Sequence, residues 1–255
     1  MITVGADPEL FLVNKKAQFV SAIGKFGGTK RHPKPLGKIK GMMVQEDNVA
    51  VEFNIPPART SFDFQTSIQT ALDLLAKKAT KMHLSLAIVP SAEFPLKELR
   101  HNKARDFGCD PDFNVWSLEF NPRPFNANKQ LRSAGGHVHI GVDKCDPILL
   151  GRACDLFLGC PSIMFDSDLS RRLLYGKSGA IRQKSYGIEY RTLSNFWIKS
   201  HQLMKLVFEQ VEQAIAFTQQ GKTISDLDSK VIQHCINQSD MNSLRILTKK
   251  FNLVY

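Results

Sequence analysis

Residues 135–141 read GGHVHIG, in which the β-branched residues Val138 and Ile140 alternate with two histidines between glycines. This alternation predicts a strand over 136–142, because side chains two residues apart in a strand point to the same face. His137 and His139 therefore share a face. The flanking glycines allow a ligand or another backbone to come close. The stretch predicts a sheet with one polar face, on which the histidines can contact a ligand.

Three more segments place functional groups at the same spacing. Asp7 and Glu9 share a face of a predicted strand over 2–12, and Glu189 and Arg191 share a face of one over 186–193. A third strand, over 49–55, belongs to EDNVAVEFN (residues 46–54) and ends at Pro56-Pro57. Buried charges need partners or metals, so a purely structural face of this kind would be costly. We expect these strands to adjoin and to form a site.

The remaining pattern predicts an α+β fold with a mostly antiparallel sheet and a helical C-terminal third. Pro8 indicates an edge strand or a bulge, Ser61 is the expected N-cap of the first helix, and Pro161 should break the second. We treat residues 1–255 as one domain, with a sheet core over 1–199 and helices over 200–255. The other predicted elements are strands at 86–89 and 115–120 and helices at 61–86, 147–175, 200–219, 226–237 and 240–251.

Length and composition exclude several classes of protein. The chain has 255 residues, of which 43% are hydrophobic and 23% charged, so disordered and collagen-like chains are excluded. We find no apolar run long enough for a membrane span and no signal-peptide pattern, which favours a cytoplasmic protein. The five cysteines are odd in number and never spaced as CxxC, which predicts free thiols. They are Cys109, Cys145, Cys154, Cys160 and Cys235.

The net charge of +10 favours anionic partners such as nucleotides, phosphorylated substrates or nucleic acid. Residues 24–41 read GKFGGTKRHPKPLGKIKG, with six Lys or Arg residues and no acid. Their glycines and prolines exclude a regular element. Three interpretations stay open: a lid over a reactive intermediate, a contact for nucleic acid, or an ordinary solvated loop.

The polar face suits phosphoryl chemistry. Carboxylates with a histidine are typical ligands of Mg²⁺ or Mn²⁺, and the lack of a nearby cysteine argues against structural zinc. The segment RRLLYGKSGAIRQKSYGIEYR (residues 171–191) adds a row of cations. Metal-binding carboxylates with Arg and Lys are the usual apparatus of phosphoryl transfer. Neither a P-loop nor a GxGxxG motif occurs, so a nucleotide would need another kind of site.

Taken in order, GADPELFL, GGTK, EDNVAVEFNIPPA, GGHVHIG and LYGKSGAIRQKSYGIEYRTLSN resemble the phage type-2 carboxyl–amine ligase (amidoligase) family. That family belongs to the glutamine synthetase and glutamate–cysteine ligase superfamily. The resemblance covers about residues 1–200, and the C-terminal helices carry no matching motif. It implies a glutamine-synthetase-like curved antiparallel sheet with helices on its convex face. On the concave face it implies ATP and two or three Mg²⁺ or Mn²⁺ ions.

The resemblance also implies a reaction. A carboxylate would take the γ-phosphoryl group of ATP to give an acyl-phosphate, and an amine would displace phosphate to form an amide. The substrates would be ATP, a small-molecule or peptide carboxylate, and an amine, in the host cytoplasm if the protein is phage-encoded. The implied metal ligands are Glu9, Glu46 and Glu52 for one ion and Asp7, His137 and Glu189 for another. Arg191 and Arg182 would be catalytic, and both, with Lys177, Lys184 and His139, would bind the nucleotide.

Two other functions remain open. A metal-dependent hydrolase or nuclease would use the same acids and histidines without ATP. A protein that only binds nucleic acid would rely on the positive charge, but the acid cluster disfavours it because carboxylates repel phosphate. Glu119, in a segment that echoes EFNIPP, could act as a base or amine ligand, or be a strand-end acid beside Arg123. Residues 108–116 read as a substrate loop or as a turn before a strand.

Overall fold

The computed structural model describes residues 1–104, 111–122 and 128–255. Cys109, Arg123 and the first part of the 108–116 segment therefore lie outside the described residues. The strands are β1 Ile2–Asn14, β2 Phe19–Val20, β3 Lys34–Pro35, β4 Met43–Asp47, β5 Ala50–Ala58, β6 Leu84–Ala87, β7 Ser91–Glu93, β8 Phe113–Asn114, β9 Glu119–Phe120, β10 Leu131–Ser133, β11 Gly136–Val142, β12 Ala180–Lys184 and β13 Gly187–Tyr190. The helices are α1 Ser61–Lys81, α2 Pro147–Cys154, α3 Cys160–Ser162, α4 Leu169–Leu174, α5 His201–Gln219, α6 Asp226–Gln238 and α7 Met241–Phe251.

One large antiparallel sheet dominates the described part of the chain. Its strands follow the order β3-β4-β5-β1-β11-β13-β12-β8-β9, and β2 and β6 pair with the second half of β1. β7 and β10 form a separate two-stranded sheet. The sequence prediction of an α+β fold with an antiparallel sheet is confirmed.

The strand register places the predicted functional residues on one face. Asp7 lies opposite His137 between β1 and β11, and Glu9 lies opposite Glu52 between β1 and β5. His139 lies opposite Glu189 between β11 and β13. Because cross-strand partners project to the same side of a sheet, the four segments that share a spacing in sequence meet in space.

The opposite face of the same strands is apolar. Leu10, Phe53 and Ile140 are fully buried there, in one core cluster with the inner faces of α1, α2 and α5. Alternation between the two faces thus gives each central strand one row of core residues and one row of polar residues. The core fixes the sheet against the helices and leaves the polar row for chemistry.

Several boundaries differ from the sequence prediction. α1 is capped by Thr60, whose side chain accepts the N–H of Asp63, so Ser61 is the first helical residue. β5 continues through Pro56-Pro57 to Ala58. Residues 115–118 form a turn between β8 and β9 instead of a strand.

Of the two alternatives predicted for Pro8, the edge strand is wrong and an irregularity in the strand is present. β1 lies between β5 and β11, so it is a central strand and not an edge. The irregularity in its pairing with β5 falls between Val4 and Ala6, just before Pro8. The fold therefore accommodates a proline within the strand that carries Asp7 and Glu9.

The predicted helix over 147–175 is divided. Asp146 caps α2 and Pro147 opens it, and a π-helical turn over Asp155–Gly159 follows. The helical path ends after Ser162, just beyond Pro161, and resumes in α4. Asp155, fully buried in the π turn, accepts hydrogen bonds from Trp116, Tyr190 and the Gly179 N–H. It thereby ties α2 to the strands that carry the cations of the polar face.

The C-terminal helices follow the sequence prediction closely, and the cysteines Cys145, Cys154, Cys160 and Cys235 are free thiols. Among the described residues, none of the helices combines the length and apolar character needed to cross a bilayer.

Candidate active site

A cleft with a volume of ≈ 300 Å³ lies over the polar face of the sheet. Strands β4, β5, β1, β11, β13 and β12 all contribute side chains to it. Of the residues predicted from sequence, it is lined by Asp7, Glu9, Glu52, His137, His139, Arg182, Lys184, Glu189 and Arg191. Six neighbouring strands therefore deliver acids, imidazoles and cations to one cavity.

Asp7, His139 and Glu189 form the first group of possible metal ligands. Each offers one donor atom, and the three donors lie within 4.8 Å of one another. Asp7 is 8% exposed and Glu189 2% exposed. Burial would raise the pKa of Asp7, but hydrogen bonds from His137 and His139 outweigh it and hold that pKa well below its usual value. The Asp7 carboxylate therefore favours its ionised form, as a metal ligand requires.

His137 lies beside this group without being part of it. Its Nδ1 is 3.4 Å from Asp7 Oδ1 and 3.1 Å from Arg191 Nη1. His139 Nε2 lies 3.1 Å from Asp7 Oδ2, and its Nδ1 lies 2.5 Å from the Tyr186 hydroxyl. His137 Nδ1 also lies 3.9 Å from Glu189, so both histidines place a ring nitrogen near the acids. The grouped donors include His139, whereas the resemblance favours His137 as the metal ligand.

Glu9, Asp47 and Glu52 form the second group, again with donors within 4.8 Å of one another. Glu52 is 6% exposed, and burial together with the neighbouring acids raises its pKa well above the usual value. Burial and Glu9 raise the pKa of Asp47 to about 6. Such crowding is costly unless a cation occupies the centre, so the group suits a divalent metal that prefers oxygen ligands.

Glu46, the predicted third ligand of this group, is not brought to the cleft. Its carboxylate accepts the backbone N–H groups of Gly24, Phe26 and Gly27 at 2.9, 2.9 and 2.5 Å. The reason is the two-residue turn between β4 and β5, which pairs Asp47 with Ala50. In this register Gln45 lies opposite Glu52, so odd-numbered residues of β4 lie on the same face of the sheet as even-numbered residues of β5. Asp47 therefore takes the position assigned to Glu46.

Among the basic residues of the cleft, Arg191 contacts two acids and a histidine. It is 4% exposed, its Nε lies 2.6 Å from Asp112 Oδ1, and its Nη1 hydrogen-bonds to Glu189. Burial would raise the pKa of Glu189, but Arg191 lowers it to about 2. The guanidinium is held in a fixed orientation at the edge of the first acid group, beside His137.

Of the other predicted basic residues, two line the cleft and one does not. Lys184 Nζ lies 2.8 Å from Glu189, and Arg182 lies 3.6 Å from Asp112 and 3.9 Å from Glu189. Lys177 is exposed and does not line the cleft. Glu119 is also exposed, in β9 at the far end of the sheet, and the described residues of the cleft do not include it.

Sequence reasoning missed several residues of the site. Asp47 could have been found from Asn48, which adopts a φ of 55° as asparagine tolerates in a tight turn. Asp112 reaches Arg191 from the start of β8, a pairing that no local pattern predicts. Gln45 donates to Glu52 at 2.7 Å, and Lys30 lines the cleft from the basic loop.

A second, more apolar pocket of ≈ 270 Å³ adjoins the cleft. It shares Asn54 and His139 with the cleft and is walled by Pro57 and Tyr186. Gly141 forms part of its wall, where a Cβ atom would lie 2.3 Å from Thr3 Oγ1. The pocket therefore lies next to the first acid group, which also contains His139.

The raised pKa of Asp47 makes the stability of the metal-free protein depend on pH. A carboxyl group with a higher pKa in the folded state binds more protons there, so it lowers stability as pH rises through that value. We expect the unfolding midpoint in EDTA to fall between about pH 4 and about pH 6, and Asp47→Asn to reduce that fall. Thermal denaturation at each pH measures it, with Asp73→Asn on the exposed face of α1 as control. Equal slopes in wild type and Asp47→Asn would contradict the assignment.

Comparison with known proteins finds a family model that matches part of this chain. The model of the family described as "Phage phiEco32-like COOH.NH2 ligase-type 2" matches residues 127–252. The resemblance seen in the sequence is confirmed over residues 127–252, whereas the motifs that suggested it cover about residues 1–200. The matched part contains β11, β12 and β13 with His137, His139, Glu189 and Arg191, and it includes the C-terminal helices. The segments around Asp7 and Glu52 precede it.

Solved structures and curated proteins add the following. "Apo GmaS without ligand" is 11% identical, with a TM-score of 0.46 over 96% of this chain and 64% of that chain. "Crystal structure of novel glutamine synthase homolog" is 13% identical, with a TM-score of 0.41 over 97% of this chain and 63% of that chain. This chain thus spans just under two thirds of either structure. No curated protein matches the sequence.

Proposed function

We propose that the protein is an ATP-dependent carboxylate–amine ligase that works through an acyl-phosphate. The observation that carries the proposal is the pair of acid groups on adjoining strands with Arg191, Arg182 and Lys184 beside them. The match of residues 127–252 to a ligase family supports it. Paired carboxylate groups with flanking cations are suited to neutralising a triphosphate and a phosphoryl group in transfer.

The donor sets fit divalent cations. Asp7, His139 and Glu189 would hold one ion, with His137 adjacent, and Glu9, Asp47 and Glu52 would hold a second. When bound, such ions supply positive charge that offsets the charge on phosphate oxygens and orients them. The crowding that raises the pKa of Glu52 is the property expected of a site built to receive a cation.

The protein's own groups would then guide two displacements. In the first, a carboxylate oxygen attacks the γ-phosphorus, and the bond to the β,γ-bridging oxygen breaks to release ADP. In the second, the amine nitrogen attacks the acyl carbon, the bond to the phosphate oxygen breaks to release inorganic phosphate, and the departing phosphate takes up the proton that the amine loses. Arg191, fixed by Asp112 and Glu189, stabilises charge on the transferred group. Arg182 and Lys184 hold the polyphosphate on the β12–β13 side of the cleft.

Calorimetry with ATP and Mg²⁺ tests the proposal. We expect binding that EDTA abolishes, and Lys184→Gln to weaken it by about 10-fold or more, as for a hydrogen bond to a charged group. Lys177→Gln is the matched control, because Lys177 lies outside the cleft and should leave the affinity within about twofold. Metal binding without ATP binding by folded wild type would favour the hydrolase or nuclease alternative. Equal losses in both variants would contradict the placement of the polyphosphate.

A further inference from the structure

Positive charge reaches the cleft from two opposite sides. Arg182, Lys184 and Arg191 lie on β12 and just after β13, whereas Lys30 lies before β3, next to β4. The acid groups lie on the strands between them. Four strand spacings separate β4 from β13, or about 19 Å across the sheet at ~4.8 Å each. A polyphosphate bound near β13 would leave the other side of the cleft, where Lys30 lies, for another anionic group.

The segment before Lys30 is anchored to the sheet. Glu46 accepts three backbone N–H groups from residues 24–27, and the Phe26 side chain is 2% exposed. Lys78 Nζ donates to the Phe26 carbonyl oxygen at 2.9 Å and lies 5.0 Å from the centre of the Phe26 ring. These contacts come from β4 and α1. The start of the basic loop is therefore a built element of the cleft wall.

The chain after this anchor runs close to β4. At Gly28 (φ +79°) a Cβ atom would lie 2.5 Å from the Val44 carbonyl oxygen, so only glycine fits there. Thr29 and His32 then form a bridge that closes a tight turn around Lys30, and β3 pairs with β4. Lys30 is thus presented at the tip of a turn whose two ends are fixed. Its charge also acts on Asp47, lowering the pKa of that carboxyl against the larger effect of burial.

We infer that Lys30 binds the carboxylate substrate, and that Glu46 is a positioning residue that presents it. The inference rests on the proposed ligase function. The carboxylate must approach the γ-phosphate from the side opposite ADP, because attacking and leaving oxygens lie roughly in line in phosphoryl transfer. With the nucleotide on the β12–β13 side, that approach comes from the β4 side, where Lys30 lies. Lys30 therefore selects for an anionic oxygen substrate and not for the nucleotide.

The experiment uses hydroxylamine as a surrogate amine, so that any acyl-phosphate yields a hydroxamate that ferric ion reveals. L-glutamate, L-aspartate, succinate and a short acidic peptide are the carboxylates supplied, and the best of them is used for kinetics. For Lys30→Gln we expect the KM of the carboxylate to rise about 10-fold or more. The calorimetric Kd of Mg-ATP should stay within about twofold, because Lys30 lies on the opposite side. Lys30→Arg should restore part of the affinity.

Glu46→Gln separates positioning from folding. It keeps one acceptor oxygen but loses the charge and the second oxygen that hold residues 24–27, so we expect the same KM effect in weaker form. Lys38→Gln, on the same loop but outside the cleft lining, is the matched control and should behave as wild type.

The outcomes are distinct. A Lys30→Gln variant with wild-type carboxylate KM, or one that loses Mg-ATP affinity as strongly as Lys184→Gln does, overturns the inference and leaves the ligase standing. Wild type that makes no hydroxamate from any supplied acid overturns the proposed function itself, and the inference falls with it.

Discussion

Glu52→Gln should cost the protein about 100-fold or more in the proposed ligase turnover, because it would remove a ligand of the proposed metal ion and even outer-shell changes cost about 10–100-fold. The same substitution should leave the metal-free fold as stable as wild type or more so. Glu52 is buried among Asp7, Glu9 and Asp47, and its pKa is raised, so its ionised form opposes folding. Gln45, which donates to Glu52, still finds an amide oxygen to accept that hydrogen bond.

Opposite signs for activity and stability make this test specific. Hydroxamate formation measures turnover, and thermal denaturation with EDTA or with Mg²⁺ measures stability. Wild type should be stabilised by Mg²⁺ and Glu52→Gln much less, because ligands stabilise only the state that binds them. Glu212→Gln, on the exposed face of α5, should change neither property. A Glu52→Gln variant that is less stable without metal, yet active, would show that Glu52 is structural.

The contrast between Glu52 and Glu46 explains how far the sequence predicts the site. Period-two spacing assigns residues to faces within one strand, and it places Asp7, Glu9, His137, His139 and Glu189 correctly on the polar face. Glu46 and Glu52 are separated by a tight turn. Whether odd-numbered or even-numbered residues lie on the polar face changes across this turn, because it depends on the number of residues in the turn. Period-two spacing therefore does not extend from β4 into β5. The error therefore falls at a hairpin and not within a strand.

Ion pairs between residues far apart in the chain could not be predicted from the sequence, for a different reason. Asp112 lies just before the short β8, which pairs with β12 through two residue pairs. Its role depends on where the edge of the sheet ends, which is set by tertiary packing around Asp155, Trp116 and Tyr190. The C-terminal helices were predicted almost to the residue, because their apolar periodicity and caps are local signals. The sequence thus predicts elements and faces well and ion-pair partners poorly.

Arg191→Gln should lower the rate of phosphoryl transfer by about 1,000-fold or more, in the range seen when an arginine that stabilises the transition state is removed. The affinity for Mg-ATP should fall much less, because Arg182, Lys184 and the acid groups remain. The reason is geometric. Arg191 is oriented by Asp112 on one side and Glu189 on the other, at the edge of the acid group that would hold the metal next to the γ-phosphate. Single-turnover hydroxamate formation and Mg-ATP calorimetry measure the two quantities separately.

Stability must be measured alongside, because Arg191 also neutralises buried acids. Its loss leaves Asp112 and Glu189 without their closest cation, and removing one partner of a buried ion pair costs about 3–5 kcal/mol. Arg191→Lys keeps the charge but cannot bridge both acids, so it should fold better than Arg191→Gln and still transfer phosphate slowly. If both variants fold, bind Mg-ATP and turn over at the wild-type rate, Arg191 acts only as a counter-ion. If both lose Mg-ATP binding as completely as turnover, its contribution is to the ground state and not to the transfer step.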